Sequence, residues 1–145
     1  MLDEQWAAIE DAAWRLVDAR ARGDRRLAIG SAKELVETVA KCVLISRGDE
    51  VRTTDFSPLI TDAHRSVDLQ PGEGTAADEP LRSMATNAKK LAMNVNALRA
   101  THGTGHGTGA LTPVEEDQVD LATDAATMWC RWVLRRLALA QANSA

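Results

Sequence analysis

The chain has 145 residues, 45% of them hydrophobic and 26% charged, with a formal net charge of -4; this suits one folded domain and excludes wholesale disorder or two full-sized domains. The acidic balance argues against nonspecific nucleic-acid binding by the molecule as a whole, so any such contact has to be local. Tyr is absent, Phe56 stands alone and four Trp supply the other aromatic bulk, which leaves Ala, Leu, Val and Met to fill the interior and favours helices over a β-sandwich.

From Asp3 to Ala21, the residues Trp6, Ile9, Ala13, Leu16 and Val17 recur at steps of three and four. They predict a first helix with that line as its apolar face, Asp3 as its cap and Gly23 as its stop. A second helix is expected from about Asp24 to Arg47, with a seam of Ile29, Ala32, Val36, Val39 and Val43, a bend or close contact at Gly30, and Gly48 as its end. Ser57-Pro58 is a cap followed by a good first helical residue and opens a shorter third helix to Leu69; Gln70 to Glu79, with Pro71, Gly72 and Gly74, reads as a connector. Pro80 opens the fourth helix, where Leu81, Met84, Ala88, Leu91, Val95 and Leu98 make the most regular line in the chain. It stops in the glycine-rich run Gly103 to Gly109, since glycine at every second position carries a large backbone-entropy cost in a helix. Thr112 and Pro113 start a last helix to about Ala140, with Ala122, Ala126, Trp129, Val133 and Leu137 on one side and Leu121, Met128, Trp132 and Leu139 on another. So wide an apolar surface predicts burial on two sides, by the bundle and by a second subunit. The expected fold is an all-α, single-domain bundle of about five helices, with no strand and no internal repeat.

Cys42 and Cys130 lie in apolar helical stretches without metal-ligand spacing and are expected as buried thiols. The chain opens with Asp3 and Glu4 rather than a charged-then-apolar leader, and it has no apolar run long enough to span a membrane, so a cytoplasmic protein with no membrane partner is expected. Arg20, Arg22, Arg25 and Arg26 cluster near the first helix junction, and Arg131, Arg135 and Arg136 close the last helix. Both sets are read first as cations complementing helix C-termini.

Most chemistries fail on spacing. The glycine run lacks the Gly-Lys-Ser or Gly-Lys-Thr ending of a phosphate loop and follows a helix where a strand is needed. His102 and His106 are four apart, but glycines lie between them and no Cys or carboxylate stands near to complete a metal site. No metal and no cofactor is therefore expected. What remains is Arg99, one turn after Val95 at the end of the most regular helix, followed by a loop carrying the two histidines. A fixed guanidinium can bind a phosphate, and a histidine titrating near neutrality can move a proton. The bland alternative is that Arg99 and a histidine merely cap the helix. A second set, Lys33, Glu37 and Lys41, follows at four-residue steps on the second helix; taken alone it is a solvated charge ladder.

The two sets together carry a resemblance. The segment Ser31 to Leu44, which holds Lys33, Glu37 and Lys41, resembles the N-terminal motif of the abortive-infection C-terminal family. Leu98-Arg99-Ala100-Thr101-His102-Gly103-Thr104-Gly105-His106-Gly107 resembles its second motif, a Leu-Arg followed by a glycine-containing loop ending in His-Gly. Ala100 departs from the expected Asn, so a side-chain amide is absent there. The resemblance runs from about Ile29 to Leu137, with residues 1–23 as an added N-terminal helix. More distantly, the second motif resembles the Arg-to-His motif of the HEPN superfamily, many of whose members are metal-independent ribonucleases with two motifs facing each other across a dimer.

The resemblance implies a phage-defence protein. In the first of two readings it is a ribonuclease-type effector, or toxin, with Arg99 and His106 catalytic and His102, Lys33, Glu37 and Lys41 as neighbouring or ligand-binding residues. RNA, a homodimer partner and an antitoxin or partner defence protein are its expected contacts, with Met128, Trp129 or Trp132 at the homodimer interface. In the second reading the same loop is a non-catalytic module that recognises a phosphate-bearing ligand or a partner protein.

Overall fold

The computed structural model describes residues 3–67, 78–102 and 113–144. Among them are the helices α1 (Asp3–Ala21), α2 (Arg25–Ser46), α3 (Phe56–Ser66), α4 (Glu79–His102) and α5 (Glu116–Ser144), and no strand. The all-α bundle is as expected.

Two tight glycine turns set the first half of the architecture. Gly23 at φ 70° and Gly48 at φ 76° occupy the left-handed region that a side chain makes costly, and they end α1 and α2 as their positions predicted. Directly after Gly23, the Asp24 carboxylate accepts from the Leu27 N–H at 3.1 Å and starts α2. α2 then runs unbroken through Gly30. It packs against each of the other four helices, and its buried side is built of small and β-branched residues such as Ala28, Ala32, Val36, Val39 and Val43. Small residues permit four neighbours to approach one helix closely.

α3 begins at Phe56, with Asp55 before it making no side-chain cap bond, and ends at Ser66 with Val67 leaving helical geometry as its cap, short of the expected end at Leu69; residues 68 and 69 lie outside the described residues. α5 starts at Glu116, where Gln118 accepts from the Glu115 N–H at 3.0 Å, a side chain reaching back to hold an otherwise unpaired donor. Cys42 and Cys130 are buried free thiols, as expected.

The apolar lines of two helices turn differently from the sequence expectation. In α1 the buried apolar residues are Ile9, Ala12, Leu16 and Ala19, while Trp6 and Val17, expected on that face, are exposed. In α4 the buried line is Ala85, Ala88, Ala92 and Val95, and Leu81, Met84 and Leu91 stand largely outside it. On α5 the expected inner face is correct, with Trp129, Val133 and Leu137 in the core, and Leu121, Met128 and Leu139 form an uncovered second side. No described helix is long and apolar enough to cross a membrane.

Candidate functional site

Arg99 lies in the last turn of α4, four residues after the buried Val95 and beside Leu98, which packs against the core. This anchoring leaves the guanidinium only partly buried, and it makes no hydrogen bond or ion pair among the described residues. His102 is the last residue of α4. His106 and the glycine run around it lie outside the described residues, so the expected pairing of Arg99 with His106 rests on the sequence.

The described residues that follow, from Pro113, lie close to the start of α2. Arg25 Nη1 donates to the Val114 carbonyl at 2.9 Å, and Arg20 pairs with Asp120 at the start of α5. Arg22 pairs with Asp18 at 3.1 Å. Arg20, Arg22 and Arg25 therefore hold helices together or pair locally.

Lys33, Glu37 and Lys41 come together as the four-residue spacing required. Glu37 accepts from Lys33 through one carboxylate oxygen and from Lys41, at 2.8 Å, through the other. The ladder is not fully solvated, since the Lys33 and Glu37 side chains retain only 21% and 20% of their exposure and the Lys33 ammonium sits 5.9 Å from the centre of the Phe56 ring. Burial by itself would raise the Glu37 pKa, but the hydrogen bonds and charges of the two lysines outweigh it, so the carboxyl is held below its ordinary range. No hydrogen bond or ion pair joins this cluster to Arg99 among the described residues.

One polar pair had no sequence signal. His64 of α3, buried in the core, accepts at Nε2 from Trp129 Nε1 at 2.9 Å, and the two rings stack at 5.9 Å with 20° between their planes. That bond needs Nε2 unprotonated and satisfies the indole donor inside the core. Trp129 is 0% exposed and so belongs to this chain's own interior, which removes it from the expected homodimer interface. Met128 and Trp132 do reach the surface, in a groove of about 660 Å³ between α4 and α5. No group of three or more metal-ligating side chains occurs among the described residues.

A family model described as an Abi-C HEPN-like domain matches residues 7–137. The match covers both motif segments and reaches back into α1, further than the segment from Ile29 on which the resemblance was read. No curated protein and no solved structure matches.

Proposed function

Since the chain belongs to the Abi-C family of HEPN-like domains, of the abortive-infection type, we propose that it is a phage-defence effector that cleaves RNA without a metal, using Arg99 and His106. The observation that supports this most is the partly buried Arg99, in the last turn of a packed helix and without a partner among the described residues, a few positions before the glycine-rich sequence that carries His106. A guanidinium so placed has donors to spare for a phosphate.

In the reaction, a base takes the proton of a 2′-hydroxyl, the oxygen attacks the adjacent phosphorus, and the 5′-oxygen leaves with a proton. His106 serves as the acid or base, and Arg99 stabilises the charge that builds on the non-bridging oxygens. A homodimer that faces two such pairs across one cleft would concentrate positive charge locally within an acidic protein.

The test is incubation of the purified protein with mixed cellular RNA in EDTA, beside Arg99→Ala. Cleavage giving 2′,3′-cyclic phosphate ends, and lost in the variant, is the expected result. Intact RNA with the wild-type protein overturns the nuclease and leaves a phosphate-binding or partner-binding module.

A further inference from the structure

The bundle leaves two apolar surfaces uncovered, the outer face of α1 with Trp6, Trp14 and Val17, and the groove between α4 and α5. The groove has a wall on each side. Leu81, Met84, Ala88 and Leu91 line it from α4 at steps of three, four and three, and Met128, Trp132, Arg135 and Leu139 line it from α5 at steps of four, three and four. That alternation is the heptad spacing at which helices interlock, side chain into gap. Both walls turn it toward an open space of about 660 Å³. Met84, Leu139 and Leu81 are left 65%, 52% and 48% exposed there, and large apolar side chains gathered in water mark a contact site.

The polar part of the lining narrows what fits. It consists of Asn87, Arg135 and Arg136 and, among the described residues, no carboxylate. Arg135 also lines the neighbouring pocket with Asp3 and Trp6, so its charge is shared between two faces, whereas Arg136 lines the groove and not that pocket. Arg136 makes no ion pair among the described residues, and its Nε is buried without a hydrogen-bond partner. A charged donor withdrawn from water and unpaired is destabilising until an acceptor reaches it. A carboxylate is the strongest such acceptor, since it takes two guanidinium bonds side by side.

We propose that the α4–α5 groove is the docking site for a separate protein that presents an amphipathic helix of about three turns, with heptad-spaced apolar residues laid between the two walls and a carboxylate on its flank meeting Arg136. Length sets the number of turns: Leu81 to Leu91 spans about 15 Å and Met128 to Leu139 about 17 Å, at about 5.4 Å per turn. The unbranched side chains of Met84 and Met128 adapt to the relief of the inserted helix, and Trp132 gives it a large apolar contact. A second copy of this chain does not suit the groove. A twofold axis set across the helices would turn the two α5 helices antiparallel and carry the two Arg99 residues to opposite ends of the pair, away from a common cleft. A twofold axis along the helices would bring Arg135 and Arg136 against their own images with no carboxylate between them. The first of these exclusions rests on the shared cleft of the proposed function. The groove lining on α4 ends at Leu91, about 12 Å of helix before Arg99, so docking there leaves the Arg99 end open to symmetric pairing.

Two fluorescently labelled helical peptides of three heptads each supply the test. Both carry leucine at the two core positions of every heptad; one has glutamate at the flanking positions and the other lysine. By fluorescence anisotropy the glutamate peptide is expected to bind about tenfold more tightly than the lysine peptide. Arg136→Gln should bring the two affinities together. Met84→Glu, which spoils the apolar wall and repels the glutamates, should abolish binding of the glutamate peptide, and Trp14→Ser, on the α1 face, should leave it unchanged. The Met84 and Trp14 side chains point largely into solvent, so the fold is kept, which circular dichroism checks for every variant. Equal binding of the two peptides, binding that survives Met84→Glu or is lost in Trp14→Ser, or no binding at high micromolar concentration overturns the proposal. So does a wild-type dimer, seen by light scattering, that Met84→Glu dissociates, because a second copy then fills the groove. Peptide binding is read without RNA, and Met84→Glu is expected to cleave RNA at the wild-type level, so this test and that of the nuclease fail separately.

Discussion

Glu37 carries a charge whose part in stability can be measured apart from activity. With Lys33 on one carboxylate oxygen and Lys41 on the other, its pKa is depressed, so the ion pairs contribute fully above the ordinary glutamate range and are lost as the pH falls through the lowered value. Glu37→Gln should therefore cost about 1 kcal/mol at neutral pH, with the difference from wild type closing in acid; urea denaturation at neutral and at strongly acidic pH measures both. A loss of RNA cleavage larger than that destabilisation explains would tie the cluster to the Arg99 site, and unchanged cleavage would leave it a structural clasp. His102 and His106 separate in the same way. His102 ends α4, a place where cations complement the helix dipole, so His102→Ala is expected to lower the melting temperature and spare activity. His106→Ala should abolish cleavage in a protein that melts normally. The Lys33–Glu37–Lys41 ladder was legible because helical spacing alone brings its members together, whereas His64 was not: its partner Trp129 is 65 positions away, and nothing in the sequence joins a lone histidine to a distant indole.

At the scale of the elements, the helix ends were read well where glycine fixes the backbone and the helix faces less well where two apolar stripes compete. Gly48 ends α2 at φ 76° with open space around the missing Cβ. Gly48→Ala should thus cost about 1 kcal/mol from the left-handed backbone alone, without any steric clash, and chemical denaturation should register it with cleavage unchanged. In α1 and α4 the spacing chose lines that mix the two sides: Ile9, Leu16, Ala88 and Val95 are buried as expected, whereas Trp6, Val17, Leu81, Met84 and Leu91 face outward. The bundle buries alanine lines, Ala12 and Ala19 in α1 and Ala85, Ala88 and Ala92 in α4, because small residues let helices approach more closely than the neighbouring Trp, Met and Leu allow. Periodicity reports that a helix has an apolar side; which of two sides faces in depends on the partner's relief, and this is absent from a local window. The larger residues displaced to the flanks, Trp6, Trp14, Leu81 and Met84, form the uncovered surfaces.

For the molecule as a whole, α2 is the common neighbour of every other helix, so no pair of helices holds a core separate from it. Urea unfolding is accordingly expected to be one cooperative transition, with circular dichroism and tryptophan emission giving the same midpoint; two midpoints would mean that part of the bundle melts independently of α2. The distribution of aromatic residues makes that comparison unusually clean. With no tyrosine in the chain, near-ultraviolet emission comes from four indoles in graded surroundings: Trp129 sealed in the core against His64, Trp132 at the groove, and Trp6 and Trp14 facing water. Trp129 should emit toward the blue and supply most of the red shift on denaturation, while Trp14 starts where an unfolded chain ends and reports little. The same exposed indole moves the opposite way when something covers it. A blue shift at constant helicity therefore signals association, a red shift signals unfolding, and the protein carries both reporters without a label.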